Sequence, residues 1–123
     1  MPLPPPDVPA LEVFYASTCE PCHLELPNLA RLTRDRDFRM IIVLLTDEAK
    51  ARLELKAVSP ELEAVATPSS NPDARAALRA AGDADGILPY ARLRRTDGRS
   101  CGSWRGILTA ARVRILLANC GKN

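Results

Sequence analysis

The chain alternates short apolar runs with amphipathic ones, which predicts strands and helices in turn. The run "LEVFYA" (11–16) is apolar and rich in strand-forming residues, and "RMIIVLLT" (39–46) is typical of a strand buried on both faces. Between them, "HLELPNLARLTR" (23–34) spaces its leucines at helical intervals, and Pro27 inside the pattern predicts a kink. These segments predict a β-α-β unit with parallel strands.

The middle of the chain continues this alternation. "TDEAKARLELKA" (46–57) begins with acidic residues and ends with basic ones, which predicts a short helix capped by Thr46. "LEAVAT" (62–67) predicts a third strand. "SSNPDARAALRAAG" (69–82) predicts another helix, with Asn71 as its N-cap. Two more helices therefore follow the first unit, with a strand between them.

The C-terminal third predicts a hairpin and a closing helix. In "PYARLRRTDGRSCGSW" (89–104) the Asp-Gly pair predicts the turn between two strands. "GILTAARVRILLANCG" (106–121) predicts an amphipathic helix. Its predicted inward face consists of Leu108, Ala111, Ile115 and Ala118. The whole pattern indicates an α/β sandwich whose mixed sheet has a parallel half followed by a hairpin and a helix.

Composition and charge fit a soluble globular protein. The 123 residues are 46% hydrophobic and 26% charged, so we expect one domain over 11–123 after a proline-rich lead-in over 1–10. The formal net charge of +2 argues against nucleic-acid binding. No apolar run approaches the roughly 18 residues of a membrane span. The start lacks the apolar core of a signal peptide, so the protein is either cytoplasmic or has lost an export signal.

Cys19 and Cys22 form a Cys-x-x-Cys pair where the first strand is predicted to lead into the first helix. Cys19 is then at the helix N-terminus, where unpaired N–H groups and the helix dipole favour an anion. Its thiol should therefore have a lowered pKa and act as the nucleophile. Cys22, one turn further on, should be more buried and resolve the mixed disulfide. This context favours thiol–disulfide exchange over a static role.

The residues beside the cysteines modify this interpretation. Pro21 stiffens the link, and Glu20 adds a negative charge that should disfavour the thiolate and make the couple more reducing. Two alternatives remain open. A structural zinc site commonly needs a second such pair or two histidines, and the one histidine, His23, is poorly placed to join both cysteines. A static disulfide would close a loop too small to stabilise the fold much.

The stretch "VFYASTCEPCHLELPNLARL" resembles the active-site segment of thioredoxin-fold proteins, and more narrowly of the TlpA/ResA/CcmG-like periplasmic thiol-disulfide oxidoreductases. The family pattern is an aromatic residue, four variable positions and then C-x-P-C-x-x-E-x-P, and it is matched by Phe14, Cys19, Pro21, Cys22, Glu25 and Pro27. "GILPYARL" resembles the second signature, an apolar residue before a cis-proline that faces the dithiol. The resemblance runs from about residue 11 to residue 120 and implies a thioredoxin-like three-layer sandwich.

The resemblance also implies how substrate is held. A cis bond between Leu88 and Pro89 would put the proline against the dithiol and leave the Leu88 backbone to pair with an extended peptide. Glu20 and Pro21 would complete this substrate-binding surface. The alternative for Pro89 is a trans proline that begins an edge strand.

Other positions match or depart from the family. By resemblance, Glu25 tunes proton transfer at the cysteines, and the alternative is a solvated helix carboxylate. His23 is expected to be exposed. The chain departs at Thr18, where many relatives have Trp, at Val13, where cytoplasmic thioredoxins bury an Asp, and at Tyr90, where Thr is usual. These departures preserve the class of chemistry and change the surface that a partner meets.

Cys101 begins the last predicted strand, and Cys120 ends the last predicted helix. The strand advances roughly 13–17 Å from Cys101 to Arg105, and the helix returns roughly 18 Å from Leu108 to Cys120. These nearly equal paths predict a structural disulfide, worth about 3 kcal/mol in the entropic model. Two free buried thiols are the alternative. The bond would indicate an oxidising compartment.

The expected function is a periplasmic thiol-disulfide oxidoreductase that reduces specific protein disulfides, as in cytochrome c maturation. It would need no metal and no cofactor besides the Cys19–Cys22 disulfide. Expected partners are protein disulfides or dithiols and an upstream thiol donor, with a membrane involved only through a removed anchor. A monomer is expected. The alternatives are a disulfide-forming oxidase, a Cu(I)-binding chaperone with Cys19, Cys22 and His23 as soft ligands, and a redox-inactive interaction module.

Overall fold

The computed structural model describes residues 7–121, which form five strands and five helices. In chain order these are β1 (Ala10–Tyr15), α1 (Glu20–Leu32), β2 (Arg39–Leu44), α2 (Glu48–Val58), α3 (Pro60–Ala64), β3 (Ala66–Pro68), α4 (Ala74–Ala80), β4 (Tyr90–Arg94), β5 (Ser100–Arg105) and α5 (Ala110–Cys120). Residues 1–6 of the predicted lead-in and residues 122–123 of the predicted domain lie outside the described residues.

The five strands form one mixed sheet in the order β3-β2-β1-β4-β5. β1 is parallel to β2, and β2 is parallel to β3, whereas β4 is antiparallel to both β1 and β5. β1 is central, and all six of its residues are buried, as its apolar composition predicts for a strand covered on both faces. The predicted α/β architecture with a parallel half and a C-terminal hairpin is confirmed.

The two faces of the sheet carry different layers. Leu11, Val13 and Tyr15 point into the larger apolar cluster, which also contains the buried residues of α1, α2, α3 and α5. Phe14 points into the smaller cluster, where it meets Tyr90 and buried residues of α4. Because successive strand residues face opposite sides, β1 supplies both layers. The C-terminal end of β1, from which the chain enters α1, lies between them.

The smaller-cluster face also holds an ion pair that the sequence reasoning did not identify. Glu12 is only 8% exposed, and its carboxylate accepts hydrogen bonds from Arg92 at 2.5 Å and from Arg94 at 3.2 Å. Glu12 and Arg92 are direct neighbours in the β1–β4 register. The pairing gives the buried carboxylate the charged partners that burial requires.

Two helix caps differ from prediction. Asp47, rather than Thr46, caps α2 and accepts a hydrogen bond from the Lys50 amide. Asp73, rather than Asn71, caps α4, because its carboxylate accepts from two amides of the first turn. Asn71 instead accepts from the Asp73 amide, which makes a turn that precedes the helix.

The predicted strand over 62–67 is largely wrong. The first part of it belongs to α3, which begins at Pro60 after the Ser59 cap, and the strand covers only Ala66–Pro68. The Ser59 hydroxyl accepts a hydrogen bond from the Glu61 amide. Proline suits the first helical turn because it has no N–H group, and N–H groups in that turn have no partner within the helix. These local signals favour a helix over the strand that the apolar residues suggested.

The predicted inward face of α5 is also wrong, apart from the burial of Leu108. Leu108 precedes the Thr109 cap and is therefore outside the helix, so it does not set the helical phase. The buried positions are Val113, Leu116 and Cys120, whereas the predicted inward residue Ile115 is 47% exposed. The buried Cys120 is bonded to Cys101 on β5, which turns this face toward the sheet.

Candidate active site

Cys19 and Cys22 are joined by a disulfide at the start of α1, with their Cα atoms 5.3 Å apart. Cys19 is the N-cap of the helix and has extended backbone angles, so its side chain lies over the first turn. Cys22 is fully buried, whereas Cys19 is half-buried between the exposed residues Thr18 and Glu20. The predicted difference in burial between the two cysteines is confirmed.

The backbone around Cys19 directs an amide at its sulfur. The Cys22 amide lies 3.2 Å from Cys19 Sγ and donates to it, and it also donates to the Cys19 carbonyl. The Cys19 amide donates to the Ala16 carbonyl at 3.0 Å, which fixes the turn that leaves β1. In the reduced protein, a thiolate at Cys19 would accept a hydrogen bond from this same amide. Hydrogen bonds to a charged acceptor are stronger than those between neutral groups.

Glu25 is buried rather than solvated, so the alternative of an exposed helix carboxylate is wrong. It is 1% exposed, and its Oε2 accepts a hydrogen bond from the Leu108 amide at 2.8 Å. Burial raises the pKa of Glu25 to about 7, although the bond from Leu108 acts in the opposite direction. A carboxyl group one turn beyond Cys22 can therefore gain or lose a proton near neutral pH.

The segment that precedes β4 carries the second part of the predicted site. The peptide bond between Leu88 and Pro89 is cis. Leu88 is half-buried and, like Cys19, packs against both apolar clusters. The Pro89 carbonyl accepts from the Gly106 amide at 2.9 Å, which ties this segment to the end of β5. The structure therefore places Leu88 and Cys19 at the same junction between the two layers.

His23 is partly buried in a polar network, so the prediction that it is exposed is wrong. Its Nε2 lies 2.8 Å from the Ser17 carbonyl, and its ring packs 5.4 Å from that of Tyr15. Glu54, on α2, accepts from the Ser17 hydroxyl at 2.7 Å and from the Tyr15 hydroxyl at 2.9 Å. Sequence reasoning missed Glu54 because no motif connects α2 with the cysteines.

This network shifts the pKa values of Glu54 and Tyr15 in opposite directions. The hydrogen bonds from Ser17 and Tyr15 hold the pKa of Glu54 below its usual value, against the effect of burial. Burial, followed by the bond to Glu54 and its charge, raises the pKa of Tyr15. Glu54 Oε1 lies 4.0 Å from His23 Nε2. The loop that carries Cys19 is thus fastened to α2 as well as to α1.

Cys101 and Cys120 form the second disulfide, with their Cα atoms 5.0 Å apart. It connects β5 to the last residue of α5, as the nearly equal lengths of strand and helix predicted. Cys120 is buried and Cys101 packs against the same apolar cluster. This bond lies in the core, whereas the Cys19 sulfur lies at a helix end.

Among residues 7–121, no group of three or more His, Cys, Asp and Glu side chains is placed to hold a metal ion. His23 Nε2 faces the Ser17 carbonyl.

Across residues 7–121, no helix is both long and apolar enough to cross a membrane.

Comparison with known proteins identifies the fold. No family model matches the sequence, and no curated protein is significantly similar to it. The thioredoxin-related protein from Neisseria meningitidis serogroup B is 15% identical, with a TM-score of 0.75 over 100% of this chain and 89% of that one. StoA from Bacillus subtilis is 16% identical, with a TM-score of 0.65 over 89% and 82%.

A third similar structure is a secreted disulfide oxidoreductase from Mycobacterium tuberculosis, described as homologous to Escherichia coli DsbE. It is 14% identical, with a TM-score of 0.64 over 95% of this chain and 83% of that one. At such identities the likeness establishes the fold, and the thioredoxin-like fold that the resemblance implied is confirmed. The chain thus combines this fold with a Cys-x-x-Cys disulfide at the start of α1.

Proposed function

We propose that this protein is a thiol-disulfide oxidoreductase that reduces disulfides of other proteins through Cys19 and Cys22. The observation that carries the proposal is the position of Cys19. Its sulfur caps α1 and accepts a hydrogen bond from the Cys22 amide at 3.2 Å, and the residue is only partly buried, whereas its bonded partner Cys22 is fully buried. The attacking thiol must be accessible to the partner and benefits from a stabilised thiolate, whereas the resolving thiol attacks a sulfur of its own chain and can stay buried.

The reaction proceeds in two exchanges. The Cys19 thiolate attacks one sulfur of the partner's disulfide, which forms a mixed disulfide and releases the other partner sulfur as a thiolate. Cys22 then loses its proton and attacks Cys19, which closes the Cys19–Cys22 bond and releases the second partner sulfur. Two electrons pass to the partner, whose sulfurs take up two protons. A thiol donor then reduces the Cys19–Cys22 disulfide for the next cycle.

Glu25 is the proposed proton acceptor for Cys22. It lies one turn further along α1, and its pKa of about 7 lets it take up a proton near neutral pH. The family resemblance supports this role, because Glu25 matches the acid of the family pattern. The fold buries Val13 where cytoplasmic thioredoxins have an aspartate, so Glu25 is the candidate for this role on α1.

Substrate is proposed to bind as an extended peptide along Leu88 and Pro89, with Glu20 and Pro21 on the other side of the disulfide. Both Glu20 and Pro21 are exposed, and Leu88 is half-buried. Main-chain pairing of an added strand gives affinity with little dependence on sequence. This suits an enzyme that recognises a disulfide together with its local backbone.

We place the reaction in the periplasm, with reductive maturation of c-type cytochromes as its specific role. The Cys101–Cys120 bond supports an oxidising compartment. A similar structure is described as that of a secreted disulfide oxidoreductase. Partners are then exported proteins with a disulfide to be reduced, together with a thiol donor.

The direction of the reaction is tested by the reduction potential of the Cys19–Cys22 couple. We expect a value nearer to that of thioredoxin, about −270 mV, than to that of DsbA, about −120 mV. Equilibration with glutathione or dithiothreitol, followed by alkylation and mass spectrometry, measures it. A value close to that of DsbA would replace the reductase with a disulfide-forming oxidase.

The partner is identified by trapping. In a Cys22→Ala variant the mixed disulfide cannot be resolved, so partners remain attached to Cys19. The variant, expressed in the periplasm, should retain apocytochromes more than other exported proteins. Cys19→Ala/Cys22→Ala is the matched control, since it keeps the surface and lacks the nucleophile. Retention of other exported proteins in place of apocytochromes would contradict the specific role and leave the oxidoreductase in place.

A further inference from the structure

The loop between α4 and β4 (81–89) ends in the Leu88–Pro89 segment and is fastened from several sides. The Ala81 carbonyl accepts hydrogen bonds from the Tyr90 hydroxyl at 3.0 Å and from Arg92 at 3.1 Å. The Gly86 amide donates to the Asp83 carbonyl at 3.0 Å. Tyr90 thus explains one departure from the family, because its hydroxyl anchors the start of this loop.

An acidic residue lies buried within the same loop. Asp83 is 0% exposed. Its Oδ1 accepts from Arg105 at 2.9 Å, and its Oδ2 finds no hydrogen-bond partner among the described residues. The same guanidinium donates to Asp85 at 2.9 Å. One arginine therefore bridges two carboxylates of the loop, and it is the charged partner of the buried one.

Arg105 connects this loop to the substrate-facing segment through the sheet. It is the last residue of β5 and lies opposite Tyr90 in the β4–β5 register. The next residue, Gly106, donates its amide to the Pro89 carbonyl. Arg105 therefore holds both the middle of the loop, by charge, and the end of the loop, through the backbone that follows it.

We propose that Arg105, through Asp83 and Asp85, is a positioning residue that keeps the loop over 81–89 in the conformation that receives polypeptide substrates. The two ion pairs of Arg105 with Asp83 and Asp85 are called the clamp below. This inference rests on the proposed function and adds the element that prepares its docking segment. Arg105 needs no contact with the reacting sulfurs. Its effect is to remove the free-energy cost of ordering the loop when a peptide binds.

Two kinds of substrate separate this role from a general structural one. A protein disulfide must pair with the Leu88 backbone, whereas a small aromatic disulfide such as 5,5′-dithiobis(2-nitrobenzoate) needs only the Cys19 sulfur. Loss of the clamp should therefore raise KM for a protein and have little effect on the small reagent. If the loop is competent about one tenth of the time without the clamp, KM for insulin rises about tenfold.

The main variants are Arg105→Gln and Arg105→Lys. Gln removes the charge, and Lys keeps one charge and should restore part of the effect. Because Arg105→Gln leaves Asp83 buried without its partner, it can destabilise the fold. The double variant Asp83→Asn/Arg105→Gln is included for this reason, since it removes both charges at similar volume. Thermal unfolding checks that each variant is folded.

The chain offers a matched control in Arg114. This arginine also bridges two aspartates two positions apart, Asp35 and Asp37, and its side chain is 52% exposed against 48% for Arg105. It joins α5 to the segment before β2, away from Leu88 and Pro89. Arg114→Gln should therefore leave KM for insulin at the wild-type value.

Amide hydrogen exchange measures how well ordered the loop is, and the measurement does not depend on enzymatic activity. We expect faster exchange over residues 83–88 in the double variant than in wild type or Arg114→Gln, together with the rise in KM for insulin. Unchanged amide hydrogen exchange in that loop would overturn the role of Arg105. Equal losses of activity with insulin and with the small disulfide would do the same. A wild-type protein without disulfide exchange would instead refute the proposed function, whatever the loop does.

Discussion

The Cys19–Cys22 and Cys101–Cys120 disulfides share one kind of bond and differ in everything around it. The first spans three positions of sequence and lies at a helix N-terminus, where Cys19 is only partly buried. The second spans 19 positions and connects a strand to the end of a helix at the apolar core. A short loop at a helix end is suited to opening and closing, and a long loop in the core is suited to holding elements together.

Their energetic contributions differ for the same reason. Closing the longer loop removes more freedom from the unfolded chain, about 3 kcal/mol in the entropic model against about 2 kcal/mol for the shorter one. The polar surroundings differ as well. The Cys22 amide donates to Cys19, and Glu25 lies one turn further along α1, whereas Cys101 Sγ lies 3.4 Å from the Leu93 carbonyl. A carbonyl offers no donor to a thiolate.

The largest expected effect is the loss of exchange activity in Cys19→Ser. Removing the nucleophile should lower the rate of insulin reduction at least about 1,000-fold, because a serine hydroxyl cannot replace a thiolate here. Cys101→Ala/Cys120→Ala, assayed below its unfolding temperature, should stay within about threefold of wild type, since neither sulfur lies at the α1 N-terminus. Comparable losses in both variants would remove the functional distinction between the two bonds.

The next largest effect is on stability, and here the Cys101–Cys120 bond matters more than the Cys19–Cys22 bond. Cys101→Ala/Cys120→Ala should lose about 3 kcal/mol of unfolding free energy and roughly 10 °C in Tm. Calorimetry at fixed pH measures both. Cys19→Ser/Cys22→Ser is the control and should lose less. A larger decrease in that control would show that the small loop, and not the core bond, stabilises the fold.

Glu25 sharpens the comparison through pH. In the folded protein the pKa of Glu25 is about 7, above its usual value of 4.5, because burial disfavours the charged carboxylate. The group therefore adds stability below pH 4.5 that is lost as pH rises toward 7, up to about 3 kcal/mol. Glu25→Gln keeps an acceptor for the Leu108 amide and lacks this titration.

Urea unfolding at several pH values between 4 and 8 tests this difference. Stability should fall with pH more steeply in wild type than in Glu25→Gln across about pH 4.5–7. The exposed Glu20→Gln variant is the control and should follow wild type. Parallel curves for wild type and Glu25→Gln would mean that burial does not raise the pKa of Glu25, which would make its carboxylate a weaker base and a poorer proton acceptor for Cys22.

The smallest expected effect belongs to Glu20. Its carboxylate is exposed beside Cys19, so Glu20→Gln should favour the thiolate by roughly 0.5 kcal/mol and raise the reduction potential by about 10 mV. Redox titration against glutathione, with Glu61→Gln as a remote control, measures the shift. A lower potential in Glu20→Gln would contradict the proposed influence of this charge.

The sequence predicted the parts of the site that depend on neighbours along the chain. Cys19 at a helix start, Cys22 buried one turn later, and the strand before them follow from a local pattern of apolar residues and a short motif. Local competition explains the wrong details. Asp73 replaces Asn71 as a cap because both residues suit a cap and only the turn geometry chooses between them.

Positions that depend on distant segments were not predictable in the same way. No sequence signal connects Glu54 with Ser17, or Arg105 with Asp83, because their separations of 37 and 22 residues are bridged only by the folded sheet and helices. The phase of α5 was missed for a related reason. Its inward side is set by β5 and the Cys101–Cys120 bond, and the helix is apolar enough to permit more than one face.

The sequence by itself therefore determined the Cys-x-x-Cys pair, the α/β class and the order of the elements apart from α3, because these rest on spacing and periodicity along the chain. Only the tertiary structure decided that Glu25 is buried with a pKa near 7, that Glu54 fastens the loop before Cys19, and that Arg105 clamps the loop before Pro89. Burial and pairing are properties of what surrounds a side chain, and those surroundings come from segments far away in sequence.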